Sequence, residues 1–93
     1  SDVNKIWTTY IGSDPERVCF LCDTNVMIKD DRSTWEMSHI VAHADGGSSE
    51  LSNIRPLCFK CNRTMGKKHL RIYVIEKYPE RYYAILNALH IRM

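Results

Sequence analysis

The sequence predicts a small α+β domain closed by a bound metal, with a helix at each end. Three observations predict it. The chain has 93 residues, about the size of one core, and domains this small often need a metal or disulfides as a staple. Its four cysteines come as two Cys-x-x-Cys pairs, Cys19–Cys22 and Cys58–Cys61. The remaining segments alternate between helical and strand-like spacing. We read residues 1–93 as one domain, with residues 19–66 as its motif core and residues 68–93 as a helical tail.

The elements follow in order. Val3, Ile6, Trp7 and Tyr10 recur at helical spacing, with Asp2 able to cap a helix over residues 2–11. Gly12-Ser13-Asp14-Pro15 stops it. Val18 to Leu21 leads into the first cysteine pair. Residues 34–41, Thr-Trp-Glu-Met-Ser-His-Ile-Val, are β-prone and read as a strand. Residues 44–49 are turn-rich. Ile54 to Leu57 is a second short strand, which Pro56 confines to an edge or an end. A helix begins at Cys61 or Asn62, and Gly66 weakens or ends it. Residues 68–77 are helical by position. Pro79 opens a last helix to about Ile91, with Tyr82, Ile85, Leu86 and Leu89 on one face. Knuckle, strand, loop, strand, knuckle, helix is the outline of a treble-clef finger. The aromatic residues Trp7, Tyr10 and Trp35 read as core around the staple.

The two cysteine pairs bring four thiolates to one tetrahedral ion, which makes Zn2+ the expected metal. The competing arrangement, two disulfides in a secreted protein, fits poorly, because cysteines of one tight knuckle pair badly and no signal peptide is evident. Zinc held by thiolates implies a reducing, intracellular setting, whether cytoplasm, nucleus or viral replication site. An ion with four protein ligands has no open position, so this zinc is structural and any chemistry lies elsewhere. The pairs are separated by 35 residues, against about 15–20 in a plain zinc ribbon. The excess marks an inserted element, and function is expected there.

Composition narrows the classes. Hydrophobic residues make up 44 % and charged residues 26 %, which excludes a disordered or fibrous chain. No apolar stretch is long enough to cross a membrane. The chain starts with Ser1, as a processed chain or a piece of a longer one would. Charge is segregated: residues 1–50 hold four Lys/Arg and nine Asp/Glu, residues 51–93 nine and two. From Arg55 to Ile75 there are six basic residues and no acid. Such a block is either a solvated surface or a phosphate-binding face. Beside a zinc motif the second reading gains weight, and Arg55, Lys60, Arg63, Lys67 and Lys68 are the expected phosphate contacts.

The run Ser38-His39-Ile40-Val41, then Gly46-Gly47, then Asn53-Ile54-Arg55-Pro56-Leu57-Cys58, then Cys61-Asn62, resembles the HNH endonuclease family in its zinc-stapled form. Asn62-Arg63-Thr64-Met65-Gly66 and the early Trp7-x-x-Tyr10-x-Gly12 resemble HNH-like proteins of large DNA viruses. The resemblance implies a ββα-metal nuclease acting on nucleic acid, with double-stranded DNA the expected partner. It implies His39 as general base, Asn62 as ligand of a catalytic divalent ion (Mg2+ or Mn2+), and Asn53 as the residue that orients His39 or pins the loop. Hydrolysing a phosphodiester needs a base that titrates near neutrality and a Lewis acid against the developing charge.

The sequence departs from the family at one position. Where most members place a metal-binding Asp before the histidine, this chain has Ser38, a weak neutral ligand for a hard cation. His43, Asp45 or Glu36 are the replacements within reach. Each candidate also has a plain structural role: His39 as a strand histidine, His43 as an exposed loop residue, Asn53 as a turn cap, Asn62 as a helix cap. Three functions follow: an HNH-type endonuclease, a catalytically silent zinc module that binds nucleic acid, and a zinc-stapled protein-interaction domain that uses the tail helix.

Overall fold

The computed structural model describes residues 1–92. The N-terminal periodicity folds into helix α1 (Asp2–Tyr10), which buries Ile6 and Trp7. Ser1 is the cap, not Asp2: its hydroxyl accepts from the Asn4 N–H at 3.3 Å. The chain then forms an antiparallel hairpin, β1 (Glu16–Val18) and β2 (Val26–Ile28), in which Arg17 faces Met27. The first cysteine pair sits in its turn. This hairpin is absent from the sequence reading. Strands of three residues are too short to display a period.

The second hairpin pairs β3 (Trp35–His39) with β4 (Ile54–Cys58), antiparallel, with Trp35 opposite Cys58 and His39 opposite Ile54. The predicted strand over 34–41 stops at His39. The Ile40 N–H still donates to the Asn53 carbonyl at 2.9 Å, but the Ile40 carbonyl accepts from the Leu70 N–H at 3.0 Å instead of from across the hairpin, and the ladder ends there. Pro56 lies inside β4, opposite Met37. A two-stranded sheet consists only of edges, which is where proline is tolerated. Between the strands run two 3-10 turns, His43–Asp45 and Leu51–Asn53.

Helix α2 (Phe59–Met65) begins earlier than predicted, because Cys58 caps it: the Cys61 N–H donates to Cys58 Sγ at 3.3 Å. It ends at Gly66, whose φ of 57° and ψ of −124° suit only glycine. Helix α3 (Leu70–Lys77) is capped by His69 Nδ1, which accepts from the Arg71 N–H at 3.1 Å. The tail helix is shorter than predicted. Residues Pro79–Arg81 form a 3-10 turn, and α4 runs only over Tyr82–Ala88.

Trp7 and Trp35, both fully buried, meet at the centre with ring centroids 5.1 Å apart. Each indole N–H has an acceptor, the carbonyls of Asp14 at 2.8 Å and Lys29 at 3.2 Å, as buried indoles require. The predicted apolar face of the tail is spent on this core: Ile85, Leu86 and Leu89 are buried in it. Ile72, Ile75 and Tyr83 of the tail remain exposed.

Candidate metal centre and active-site cleft

The first knuckle is held in the β1–β2 turn and the second at the β4–α2 junction. Together they bring the Sγ atoms of Cys19, Cys22, Cys58 and Cys61 within 4.8 Å of one another. All four are free thiols. Backbone N–H groups point at the sulfurs: Leu21 and Cys58 at Cys19, Asn25 at Cys22, each at 3.4 Å. Asn25 Nδ2 adds a bond to Cys58 Sγ at 3.5 Å. Such donors stabilise thiolates. The four cysteines are thus positioned to bind a metal, and an all-sulfur tetrad fits zinc, whose Zn–S bonds of about 2.3 Å place sulfurs under 4 Å apart. By themselves the clustered sulfurs oppose each other's ionisation. The Cys61 thiol's hydrogen bond holds Cys19 at about 5, and that same bond pushes Cys61 up, while burial raises Cys58. A dication among them reverses that repulsion and releases protons as it binds.

Beyond the metal centre, β3, the following loop and α2 enclose an open cleft of about 520 Å³. His39, His43, Asn62, Arg63 and Lys67 line it, with Met37 and Met65. Of the sequence-predicted residues, then, His39, His43, Asn62, Arg63 and Lys67 come together. His39 is half-buried; its Nε2 is shielded and has no hydrogen-bond partner. Lys60 and Lys68 are exposed but outside the cleft, Lys68 in an ion pair with Glu76.

Two further predicted residues, Asn53 and Arg55, also lie outside the cleft. Asn53 makes no bond to His39. Its carboxamide clamps the loop instead: Oδ1 accepts from the Val41 N–H at 3.0 Å, and Nδ2 donates to the carbonyls of Val41 at 3.0 Å and Ser48 at 2.8 Å. Of its two expected roles the structure has the pinning one.

Arg55, expected on the phosphate face, is buried with 6 % exposure. It donates to the carbonyls of Leu89 at 2.6 Å, Ile54 at 2.8 Å and Ser52 at 3.0 Å, and stacks 4.5 Å from the Tyr10 ring. Burial lowers its pKa. Three carbonyls and an aromatic face satisfy the guanidinium inside the fold, so it does not face phosphate.

A network absent from the sequence reading joins β3 to α2. Ser38, 2 % exposed, donates to Asn62 Oδ1 at 2.5 Å. Asn62 Nδ2 donates to Glu36 Oε1 at 3.1 Å. Arg63 donates to both Glu36 oxygens, at 3.0 and 3.4 Å. That hydrogen-bonded ion pair holds the Glu36 carboxyl below its usual range and raises Arg63. The sequence signal for it is spacing: Glu36 and Ser38 share one face of a strand. Hydroxyl, carboxamide and carboxylate oxygens are the donor set of hard divalent cations. Asp45 is exposed and does not line the cleft.

A family model of HNH endonucleases matches residues 19–68, more than half of the chain and all of the metal centre and cleft. The chain belongs to the HNH endonuclease family. No curated protein and no solved structure matches it. The HNH match begins at the first knuckle cysteine and ends beside the cleft residue Lys67, so α1 and the tail from Leu70 lie outside it. No helix among the described residues is long and apolar enough to cross a membrane.

Proposed function

We propose that this HNH chain hydrolyses phosphodiester bonds in DNA, with His39 as general base and a structural zinc on the four cysteines. The observation that carries the reading is one cleft lined by His39, Asn62, Arg63 and Lys67, outside a closed metal centre. With Nε2 covered, Nδ1 is the nitrogen left for a water in the cleft. His39 takes a proton from that water, and its oxygen bonds to phosphorus. The bond from phosphorus to the leaving sugar oxygen breaks, and that oxygen takes a proton from solvent. Arg63 and Lys67 bind and orient the scissile phosphate, and the exposed Lys60 and Lys68 meet flanking phosphates. Such contacts position the backbone without reading sequence. Asn62, with His43 across the cleft, would hold Mg2+ or Mn2+. Such an ion, when bound, supplies Lewis-acid stabilisation of the developing phosphate charge.

Nicking of supercoiled plasmid by the zinc-loaded protein with Mg2+ or Mn2+ tests the reading. His39→Ala should lower the rate by about 10²-fold or more while leaving zinc content unchanged. Equal nicking by the variant would contradict it. One observation favours a binding module without catalysis: both ends of the Asn62 carboxamide are already engaged, by Ser38 and Glu36. That reading expects salt-sensitive DNA binding and no nicking with any divalent ion.

A further inference from the structure

The inference rests on the nuclease reading and concerns what replaces its missing acid. Ser38 offers a divalent ion only a neutral hydroxyl, but the fold brings another carboxylate to the same place. Glu36 leaves β3 on the same face as Ser38, two residues earlier, and both reach Asn62 on α2, at 3.1 and 2.5 Å. One charged and two neutral oxygen groups thus converge from two elements. Rotating the Asn62 carboxamide would turn Oδ1 toward Glu36 and Nδ2 toward Ser38. The serine hydroxyl accepts as readily as it donates, so it supports either orientation. The position where a cation would sit on Glu36 is taken by the Arg63 guanidinium. With side-chain exposures of 27 % for Glu36 and 65 % for Arg63, that pair is cheap to open.

We propose that Glu36, which reaches Asn62 at the β3–α2 junction beside the cleft rather than from its lining, is the acidic ligand of a divalent ion held there with Asn62, and that Arg63 occupies its carboxylate until the ion displaces it. The displaced guanidinium then serves the phosphate. The exchange is ionic: one cation leaves the carboxylate as another arrives, and no covalent bond changes.

The test is Mn2+ binding to the zinc-loaded protein without DNA, followed by loss of the free-ion EPR signal. The wild type should bind about one Mn2+ per chain at this site, and Glu36→Gln should weaken binding about tenfold or more. Arg63→Ala should tighten it severalfold, because the competing cation is gone. Asp45→Asn should bind as the wild type does. The opposite signs at Glu36 and Arg63 separate a ligand from a structural link, since a mere β3–α2 tie would weaken binding in both variants. Zinc content and thermal melting establish that each variant is folded. Wild-type binding to Glu36→Gln, weaker binding to Arg63→Ala, or no binding to the wild type would overturn the proposal. The nuclease reading fails separately. Mn2+ bound as described without nicking leaves the ligand set standing and removes the hydrolysis. Full nicking by Glu36→Gln with Mn2+ bound as tightly as in the wild type does the reverse.

Discussion

Arg55 illustrates what a single residue's surroundings decide. In sequence it opens a basic run. In the fold its guanidinium joins β4 to the end of α4 through the Leu89 carbonyl, 34 residues away. Arg55→Ala should destabilise the protein by about 2–3 kcal/mol, because it strips buried carbonyls of a charged donor, and urea unfolding measures this. DNA affinity of the folded fraction should stay at the wild-type level, unlike that of a phosphate-binding residue. Glu36 carries a pH signature. Its folded pKa is depressed, chiefly by Arg63. Its contribution to stability is therefore present above the unfolded value near 4.5 and is lost as pH falls through the folded value. Thermal melts of wild type and Glu36→Gln should differ at pH 6 and converge in acid. Comparing the two cancels the acid sensitivity of the cysteine centre, which they share.

At the scale of elements, the loop between β3 and β4 is set by backbone approach. A Cβ on Gly47 would lie 1.8 Å from the Val41 carbonyl oxygen and 2.9 Å from that of Ala42. No side chain fits there, and Asn53 clamps the same turn from the other side through Val41 and Ser48. Gly47→Ala should cost about 1–3 kcal/mol in denaturant unfolding and lower nicking, since the loop carries His43 to the cleft. Much of this level is legible in the sequence. Both long strands, the Gly-Gly turn and the helix after the second knuckle have local signals: β-branched residues, turn residues and Gly66 as a stop. The β1–β2 hairpin has none, because its register is imposed by the cysteines between its strands rather than by periodicity. The late start of α4 reflects Pro79, which opens a 3-10 turn rather than the helix itself.

For the whole molecule, spacing predicted the four-cysteine cluster, because cysteine knuckles act through short, fixed geometry; His39 and Asn62, named by the family resemblance, both line the cleft. What spacing left open is which charges turn inward. The basic half of the chain divides, with Arg55 inside, Arg63 and Lys67 at the cleft, and Lys60 and Lys68 on the surface beyond it. Glu36, from the acidic half, crosses to Asn62 and Arg63, a contact spanning 26 and 27 residues. The tail closes the core through Ile85, Leu86 and Leu89. It is tied back to the first knuckle by Arg81, which donates to the Leu21 carbonyl. The two knuckles, positioned to share one metal ion, join β1–β2 to β4–α2, beside the cleft. Metal analysis of freshly purified, reduced protein tests this sharing most directly. About one zinc per chain, lost together with cooperative folding in Cys58→Ser, is the predicted result; a folded protein that carries no zinc would contradict it.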